Sequence, residues 1–425
     1  MGGNLVIAGF LVLLLIGFPI SFSLALPTII YILIGPVSIS LIAQRVFFSL
    51  DSVPLIAVPL FMLVGNVMNY SGISDHIFRF ARSLVSHWYG GLAQVNILAS
   101  LIFAGTSGSA LADIGGLGRI EIKAMVEAGY SKAFSCAITI ASATVGPIFP
   151  PSIPLVLFGV FGSVSTIELL IAGICPSIII VISLMVTTFF IARKRKFPRS
   201  KKREPFNEIF TAGRNAFPAL LAPLFLILGM LSGIFSPTEA AAVTLIYIII
   251  MSIIFYRSFR WTNIINASRE TAKTLPPLIF IVISAKLFIR ILTTEQIIQS
   301  FSEKVISISD NRIILLFVIN VLLLFIGCFI DTVGALLLTT PIVLPILVAV
   351  GVDPVHVGVI VVYNLMIGSL TPPVGMSLFL VSNLTNVKVT SILKELLPYY
   401  LPLGVSLLVI TYWPQMVLWL PKLIR

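Results

Sequence analysis

The first 44 residues contain no Asp, Glu, Lys or Arg, and runs of this kind recur along the whole chain. Between 133 and 192 the only charged residue is Glu168; between 215 and 256 it is Glu239; between 313 and 352 it is Asp331; 396–421 has none. A spanning helix needs about 20 predominantly apolar residues to cross a hydrocarbon core roughly 30 Å thick. These runs supply many such lengths. With 58% hydrophobic and 10% charged residues, against roughly 25% charged in soluble domains, the chain has too little polar surface to cover itself in water. Lipid cannot hydrogen-bond a bare peptide group, so the spans must satisfy their own backbone. The alternating apolar and polar pattern of barrel strands is missing, which leaves helices. The sequence predicts an all-α polytopic membrane protein.

The net charge of +11 invites a nucleic-acid reading, but the distribution of charge opposes it. Eight of the 27 basic residues fall in 193–203 (RKRKFPRSKKR), directly after an apolar run. That is the positive-inside bias of a cytoplasmic loop, with anionic headgroups as a secondary contact and no nucleic-acid partner. Cys136, Cys175 and Cys328 lie in apolar runs without CxxC spacing and read as small core residues. His76, His87 and His356 are scattered and form no ligand cluster. The N-terminus has no basic n-region, and its apolar run is too long for a cleavable signal. Residues 5–34 read as a first membrane segment, loosened at Gly17, Pro19 and Pro27.

A shift of 222 residues lays the chain on itself without a gap. Phe103 falls on Phe325, Gly105 on Gly327, Gly129 on Gly351, Gly146 on Gly368 and Pro150–Pro151 on Pro372–Pro373; upstream, Pro54 meets Pro276. Gly and Pro each mark a backbone requirement, so one register through all of them predicts a duplicated unit. The first half ends its last span in the basic loop, whereas the second ends in a tail carrying only Lys422 and Arg425. That asymmetry favours opposite orientations, an inverted repeat of the kind secondary transporters use to alternate access. The division is 1–192 for the first repeat, 193–213 for the basic loop and 214–425 for the second repeat. Residues 72–91 and 293–310 carry mixed charge and read as interfacial or linking segments.

Each half contains two places where a membrane helix should break. Residues 104–113 (AGTSGSALAD) concentrate Gly and Ser, which weaken a helix and suit a re-entrant hairpin tip. Residues 145–154 (VGPIFPPSIP) hold four prolines, each removing a donor. The second half repeats this at 327–332 (GCFIDT) and 368–376 (GSLTPPVGM). Irregular backbone at membrane depth survives only inside protein or beside a water-filled cavity. Freed carbonyls with Ser and Thr hydroxyls make oxygen cages for a small cation, and half-helix N-termini attract an anion. The pattern predicts two cation sites with an anionic substrate between them. Asp331, within a predicted tip, is a ligand candidate, since intramembrane carboxylates are usually functional. Asp113, near Arg119, reads as structural, Glu239 as a helix cap after Ser236–Pro237, and Lys286 and Arg290 as basic side chains snorkelling to the interface.

At these residues the chain resembles the large membrane subunit of the tripartite ATP-independent periplasmic (TRAP) transporters. The likeness spans essentially the whole sequence and rests on AGTSGSALADIGGLG (104–118), GPIFPPSIPL (146–155), SPTEAAAV (236–243) and GVDPVHVGVIVVYNLMIGSLTPPVGM (351–376). It implies an ion-transporter-superfamily-like fold with a scaffold and a mobile part working as an elevator. It implies uptake of a carboxylate-bearing solute such as sialic acid or a C4-dicarboxylate across the bacterial inner membrane, coupled to sodium. The partners implied are a periplasmic substrate-binding protein and a separate small four-helix membrane subunit. By motif, Ser107, Ser152 and Asp331 are implied substrate contacts. Ser107, Ser109, Gly146, Phe149 and Pro151 are implied for one sodium ion, and Gly327, Gly368, Thr371, Pro373 and Met376 for the second. One departure stands out: Thr106 places a hydroxyl in a tip that in the family usually reads AISGSA-like.

No HExxH, GxSxG, phosphate loop or filter motif is present, so an enzyme, an ATP-driven pump and a selective channel are not indicated, and no cofactor beyond the coupling ions is expected. A divalent-anion symporter of the same superfamily that dispenses with a binding protein, or a proton-coupled transporter, would share these features.

Overall fold

The computed structural model describes residues 2–35, 52–198, 203–308 and 311–423, with isolated positions 40, 42, 44 and 47. Residues 199–202 of the basic loop, 309–310 of the second mixed-charge segment and the terminal Arg425 lie outside the described residues. All regular structure among the described residues is helical. In chain order the helices are α1 Gly2–Ile16, α2 Ile20–Ile34, α3 Val53–Tyr70, α4 Ile73–Val85, α5 Gly91–Ser107, α6 Ala110–Gly115, α7 Leu117–Glu127, α8 Lys132–Ala143, α9 Ile153–Gly162, α10 Thr166–Ala172, α11 Ile174–Arg195, α12 Phe206–Leu231, α13 Pro237–Ile254, α14 Trp261–Thr294, α15 Ile297–Ile308, α16 Arg312–Phe329, α17 Thr332–Ala349, α18 Pro354–Gly368, α19 Met376–Thr385, α20 Val389–Tyr412 and α21 Pro414–Lys422.

Among the described residues, eight stretches are long and apolar enough to cross a membrane: α3, the joined α10–α11, α12, α13, α14, α16, α17 and α20. The apolar side chains they leave exposed, such as Ile182, Phe217, Phe325 and Leu401, face where lipid would lie. Because lipid is as apolar as a protein core, association of these helices depends on close packing and on hydrogen bonds between them. Such bonds are present. Asn66 Nδ2 donates to Thr271 Oγ1 at 2.9 Å, tying α3 to α14. Ser142 Oγ donates to Asn96 Oδ1 at 2.7 Å between α8 and α5, and Asn364 Nδ2 donates to Asn320 Oδ1 at 2.5 Å between α18 and α16.

The helices form two packed groups joined through the contact of α4 with α5. α3 packs on α13 and α14, α12 on α13 and α4, and α2 on α14. The second group is built on α8 and α18, whose residues are buried from Phe134 to Ala143 and from Val355 to Gly368. α8 is covered by α5, α7 and α20, and α18 by α16, α17 and α10.

The N-terminal segment differs from its reading as one membrane span. Gly17 adopts φ +94° and the chain turns back, so that α1 and α2 form a hairpin with Gly9 facing Pro27. At 1.5 Å per residue each 15-residue arm reaches only about 22 Å, short of a full crossing. The hairpin is fastened to the end of α14, where Glu295 accepts from Tyr31 Oη at 2.6 Å and from the Gly3 amide at 3.2 Å. Glu239 does cap its helix: its carboxylate accepts from Ser236 N at 2.8 Å while Ser236 Oγ accepts from Glu239 N at 3.3 Å. Arg290 is exposed, but Lys286 sits with Nζ 5.5 Å from the centre of the Phe161 ring on α9.

Candidate transport site

Four interruptions, two in each half, lie where Gly, Ser and Pro accumulate. The first tip is narrower than 104–113: helix persists through Ser107 and resumes at Ala110. Two residues suffice because Gly108 takes φ +60°, which an L side chain resists, and Ser109 Oγ caps α6 by accepting from Ala112 N at 3.5 Å. The first proline break runs from Thr144 to Ser152 and contains a cis Pro150–Pro151 bond. Ser152 Oγ accepts from Leu155 N at 3.1 Å, capping α9, and itself donates to the Pro147 carbonyl.

Tip and break are bonded to each other. Ile153 N donates to the Gly108 carbonyl at 3.2 Å, and a Cβ on Gly108 would strike the Pro151 carbonyl. A Cβ on Gly146 would stand 3.5 Å from the Ser109 carbonyl carbon. The Phe149 ring lies against Gly105, at 3.3 Å from where its Cβ would be. Thus Ser107, Ser109, Gly146, Phe149, Pro151 and Ser152 gather in one place. Within the break, the carbonyls of Gly146, Phe149 and Pro151 receive no hydrogen bond among the described residues. Ser107 Oγ is buried and also unpartnered. A buried hydroxyl and carbonyls left without donors are what a hard monovalent cation satisfies, so the residues present fit such an ion.

The second half is assembled in the same manner. α16 ends at Phe329 and α17 begins at Thr332, with Asp331 Oδ2 accepting from Gly334 N at 3.0 Å as the cap. The second break, 369–375, holds a cis Pro372–Pro373 bond. Gly375 N donates to the Cys328 carbonyl at 3.0 Å, fastening break to tip. Gly327 and Gly368 touch backbone to backbone, since a Cβ on Gly368 would fall 2.7 Å from Gly327 Cα. Thr371 and Pro373 stand on this break, and Met376 opens α19 with its side chain exposed. The Gly368 carbonyl is engaged by Thr371 N at 2.8 Å, whereas those of Gly327, Thr371 and Pro373 receive no bond among the described residues.

The halves interlock across these sites. α6, the second arm of the first tip, packs on α19, and α17, the second arm of the second tip, packs on α9. Gly162 of α9 faces Thr340 and Leu344 of α17, and residues just beyond it share a cavity with Val348 and Pro354. The two helices therefore run parallel, which places Ser152 and Asp331, the caps of their N-termini, at the same end. Two helix N-termini there present partial positive charge to an anion.

Sequence reasoning missed one feature. Asp113 makes no ion pair with Arg119, which is exposed, and Glu121 is buried beside it. The signal was available: the buried positions 117, 118, 121, 122 and 125 of α7 keep helical spacing, and Glu121 falls on that stripe.

Residues 7–416 match the family described as “Tripartite ATP-independent periplasmic transporter, DctM component”. The chain is 42% identical over 98% of its length, and 98% of the relative's, to a Vibrio cholerae protein described as sialic acid TRAP transporter large permease protein SiaM. It is 38% identical to the Haemophilus influenzae sialic acid TRAP transporter permease protein SiaT, covering 97% of this chain and 67% of that one. It is 36% identical to the Pseudomonas aeruginosa C4-dicarboxylate TRAP transporter large permease protein DctM, covering 92% and 91%. Among solved structures it is similar to the Alcanivorax borkumensis YdaH transporter, with TM-score 0.61 at 15% identity over 88% of this chain and 87% of that one, a likeness of fold.

Proposed function

This chain belongs to the DctM family of TRAP transporters as a multi-pass inner-membrane large permease, and from that premise we propose that it takes up a carboxylate-bearing solute with sodium ions. Membership implies a small membrane subunit and a periplasmic binding protein as partners. The observation that carries the sodium reading is the first tip and break: bonded to each other, they hold three carbonyls and the buried Ser107 hydroxyl that have no hydrogen-bond partner among the described residues. Ser107, Ser109, Gly146, Phe149 and Pro151 would hold one ion, and Gly327, Gly368, Thr371, Pro373 and Met376 a second. Ser107, Ser152 and Asp331 would meet the substrate, with the N-termini of α9 and α17 aimed at its carboxylate.

In this reading the halves are inverted repeats, and the group built on α8 and α18 moves against the other as an elevator. Ion binding shifts that equilibrium only through its differential affinity for the two states, so a site made of two separate segments is an effective lever: it is complete only when tip and break are joined. Sialic acid is the first substrate to test, because relatives bearing that name are 42% and 38% identical, against 36% for the Pseudomonas C4-dicarboxylate relative.

The test is uptake into proteoliposomes holding this chain with its small subunit, with and without the binding protein. Uptake should require an inward sodium gradient and the loaded binding protein. Uptake unchanged when potassium replaces sodium defeats the coupling, and uptake without the binding protein returns the chain to the symporter reading.

A further inference from the structure

Beside the first tip the chain buries two carboxyl groups that the transport site does not use. Asp113 on α6 and Glu121 on α7 are each 1% exposed. All four of their carboxyl oxygens lack a hydrogen-bond partner among the described residues. α6 is packed by α5, α7, α8 and α19, and α7 by α5, α6 and α8. On those helices the basic side chains point away: Arg119, Lys123 and Lys132 are exposed, and Lys123 lies 4.0 Å from Glu127. Cys136 of α8 is bonded to Thr385 Oγ1 at 3.5 Å, and α5 and α19 carry no titratable side chain. Asn69, which reaches Gly116 from α3, is the amide at that edge, and it accepts from Ser74 Oγ.

Neighbouring hydroxyls are committed elsewhere. Ser100 lies within reach of Asp113 but donates to Ser142 Oγ at 3.0 Å. Ser142 donates to Asn96 Oδ1 at 2.7 Å, and Asn96 Nδ2 donates to Thr139 Oγ1 at 2.8 Å. Ser100, Ser142 and the Asn96 amide thus donate within that relay, and Thr139 Oγ1, its last acceptor, makes no bond to either carboxyl group among the described residues. The charge that Glu121 would feel is that of Asp113, which is of the same sign. Two unpaired carboxylates cannot both stay ionised in such surroundings, because desolvation and mutual repulsion both oppose it. No third His, Cys, Asp or Glu completes a metal-ligating group among the described residues.

We propose that Asp113 and Glu121 form a proton-binding site, holding at least one proton between them while α6 and α7 stay packed against each other. A proton on either carboxyl removes one of the two like charges that the packed helices bury, and the last one is released only when movement of the tip lets water reach the pair. The two carboxyl groups are not among the residues of the cation cages, although the Asp113 amide donates to the carbonyl of Ser109 at 3.0 Å, and the burial of the pair without a basic partner carries the proposal whatever the coupling ion. Proton occupancy of the pair makes the conformational balance depend on pH whatever ion drives uptake.

Infrared spectroscopy on the full chain in lipid nanodiscs at neutral pH tests this. The carbonyl stretch of protonated carboxyl groups should be present, should shift in heavy water, and should be diminished by Asp113→Asn and by Glu121→Gln. No such band, or a band that neither variant changes, overturns the proposal. A band erased by sodium at constant ionic strength also overturns it, because the pair would then be a cation site. Should neither variant fold, Glu121→Leu, which removes the group in favour of an apolar side chain, is measured in their place against the wild type.

Discussion

Gly108→Ala is the substitution on which the assembled first site bears most directly. The geometry imposes three separate penalties. An Ala at φ +60° costs about 1–2 kcal/mol over Gly in the left-handed region. Its Cβ would drive into the Pro151 carbonyl and stand 3.3 Å from Ile153 N, both backbone atoms, and overpacking of that kind costs about 1–3 kcal/mol. Displacing the tip to relieve the collision breaks the Ile153 N to Gly108 carbonyl bond, worth about 1 kcal/mol. Together these give about 3–6 kcal/mol against the joined state, or about 10²- to 10⁴-fold in its population. If the joined tip and break hold the ion, that loss reappears as weaker sodium affinity. The assay is the sodium dependence of uptake in proteoliposomes, with sodium-induced thermal stabilisation of the purified protein as a second readout. Gly115→Ala is the control, since its Cβ would meet nothing within 4 Å. Gly108→Asn separates the two contributions, because Asn tolerates the left-handed region but still collides. A Gly108→Ala protein with the sodium response of the wild type would refute the reasoning.

The same contacts set other outcomes. Gly368→Ala should weaken the sodium response by about 10-fold or more, since its Cβ meets Gly327 backbone that cannot step aside without opening the second tip; titration of sodium against uptake checks it. Ser236→Ala should destabilise α13 by about 1 kcal/mol through loss of the capping box, seen as a lower unfolding midpoint with sodium affinity unchanged. The Tyr31 hydroxyl and then the Gly3 amide hold the Glu295 carboxyl below its ordinary range. A depressed acid contributes stability above its unfolded pKa and loses it as pH falls through the lower folded value, so Glu295→Gln should flatten the acid side of the melting profile, and Tyr31→Phe should do so in part. An unchanged profile in Glu295→Gln would remove that fastening from the account.

What was legible in the sequence was the class of fold and the places where its helices break, because charge-free runs and Gly/Pro clusters act locally. What was not legible was how little backbone a break needs. Residues 104–107 read as part of a tip, yet they stay helical, because Gly108 alone supplies the reversal and Ser109 caps α6 directly after it. The N-terminal hairpin was hidden for a related reason: Gly17 and Pro19 were visible, but whether they bend one span or fold two short arms depends on the packing of Gly9 against Pro27. The carboxyl pair escaped for the opposite reason. Asp113 stands near Arg119 in sequence, which suggests a partner for it, although Glu121 falls on the inward stripe of α7; in the structure Arg119 is exposed and Glu121 buried.

The two breaks share a chain path but not an environment, and the difference bears on how ions reach them. Residues 144–152 are buried apart from partly exposed Phe149, whereas Pro372, Pro373 and Met376 are exposed. A carbonyl that already faces open space gives up little when it turns to an ion. The unbonded carbonyls of the first break lie in a mostly buried segment that the Ile153 N to Gly108 carbonyl bond fastens to the tip, so on the sodium reading that bond is the expected gate. On the sodium reading, exchange at the first site is then expected to demand movement of the tip, and exchange at the second is not. If both hold sodium, the first is the one whose occupancy is tied to the tip's position, and the one whose loss should impair conformational coupling more than binding. Substitutions at Gly146 and at Thr371 should then differ in kind. The former should slow exchange of bound sodium with the medium, and the latter should lower affinity while leaving exchange rapid. Stopped-flow measurement of sodium binding in each variant distinguishes the two, and equally rapid exchange in both would break the link drawn here between burial and gating.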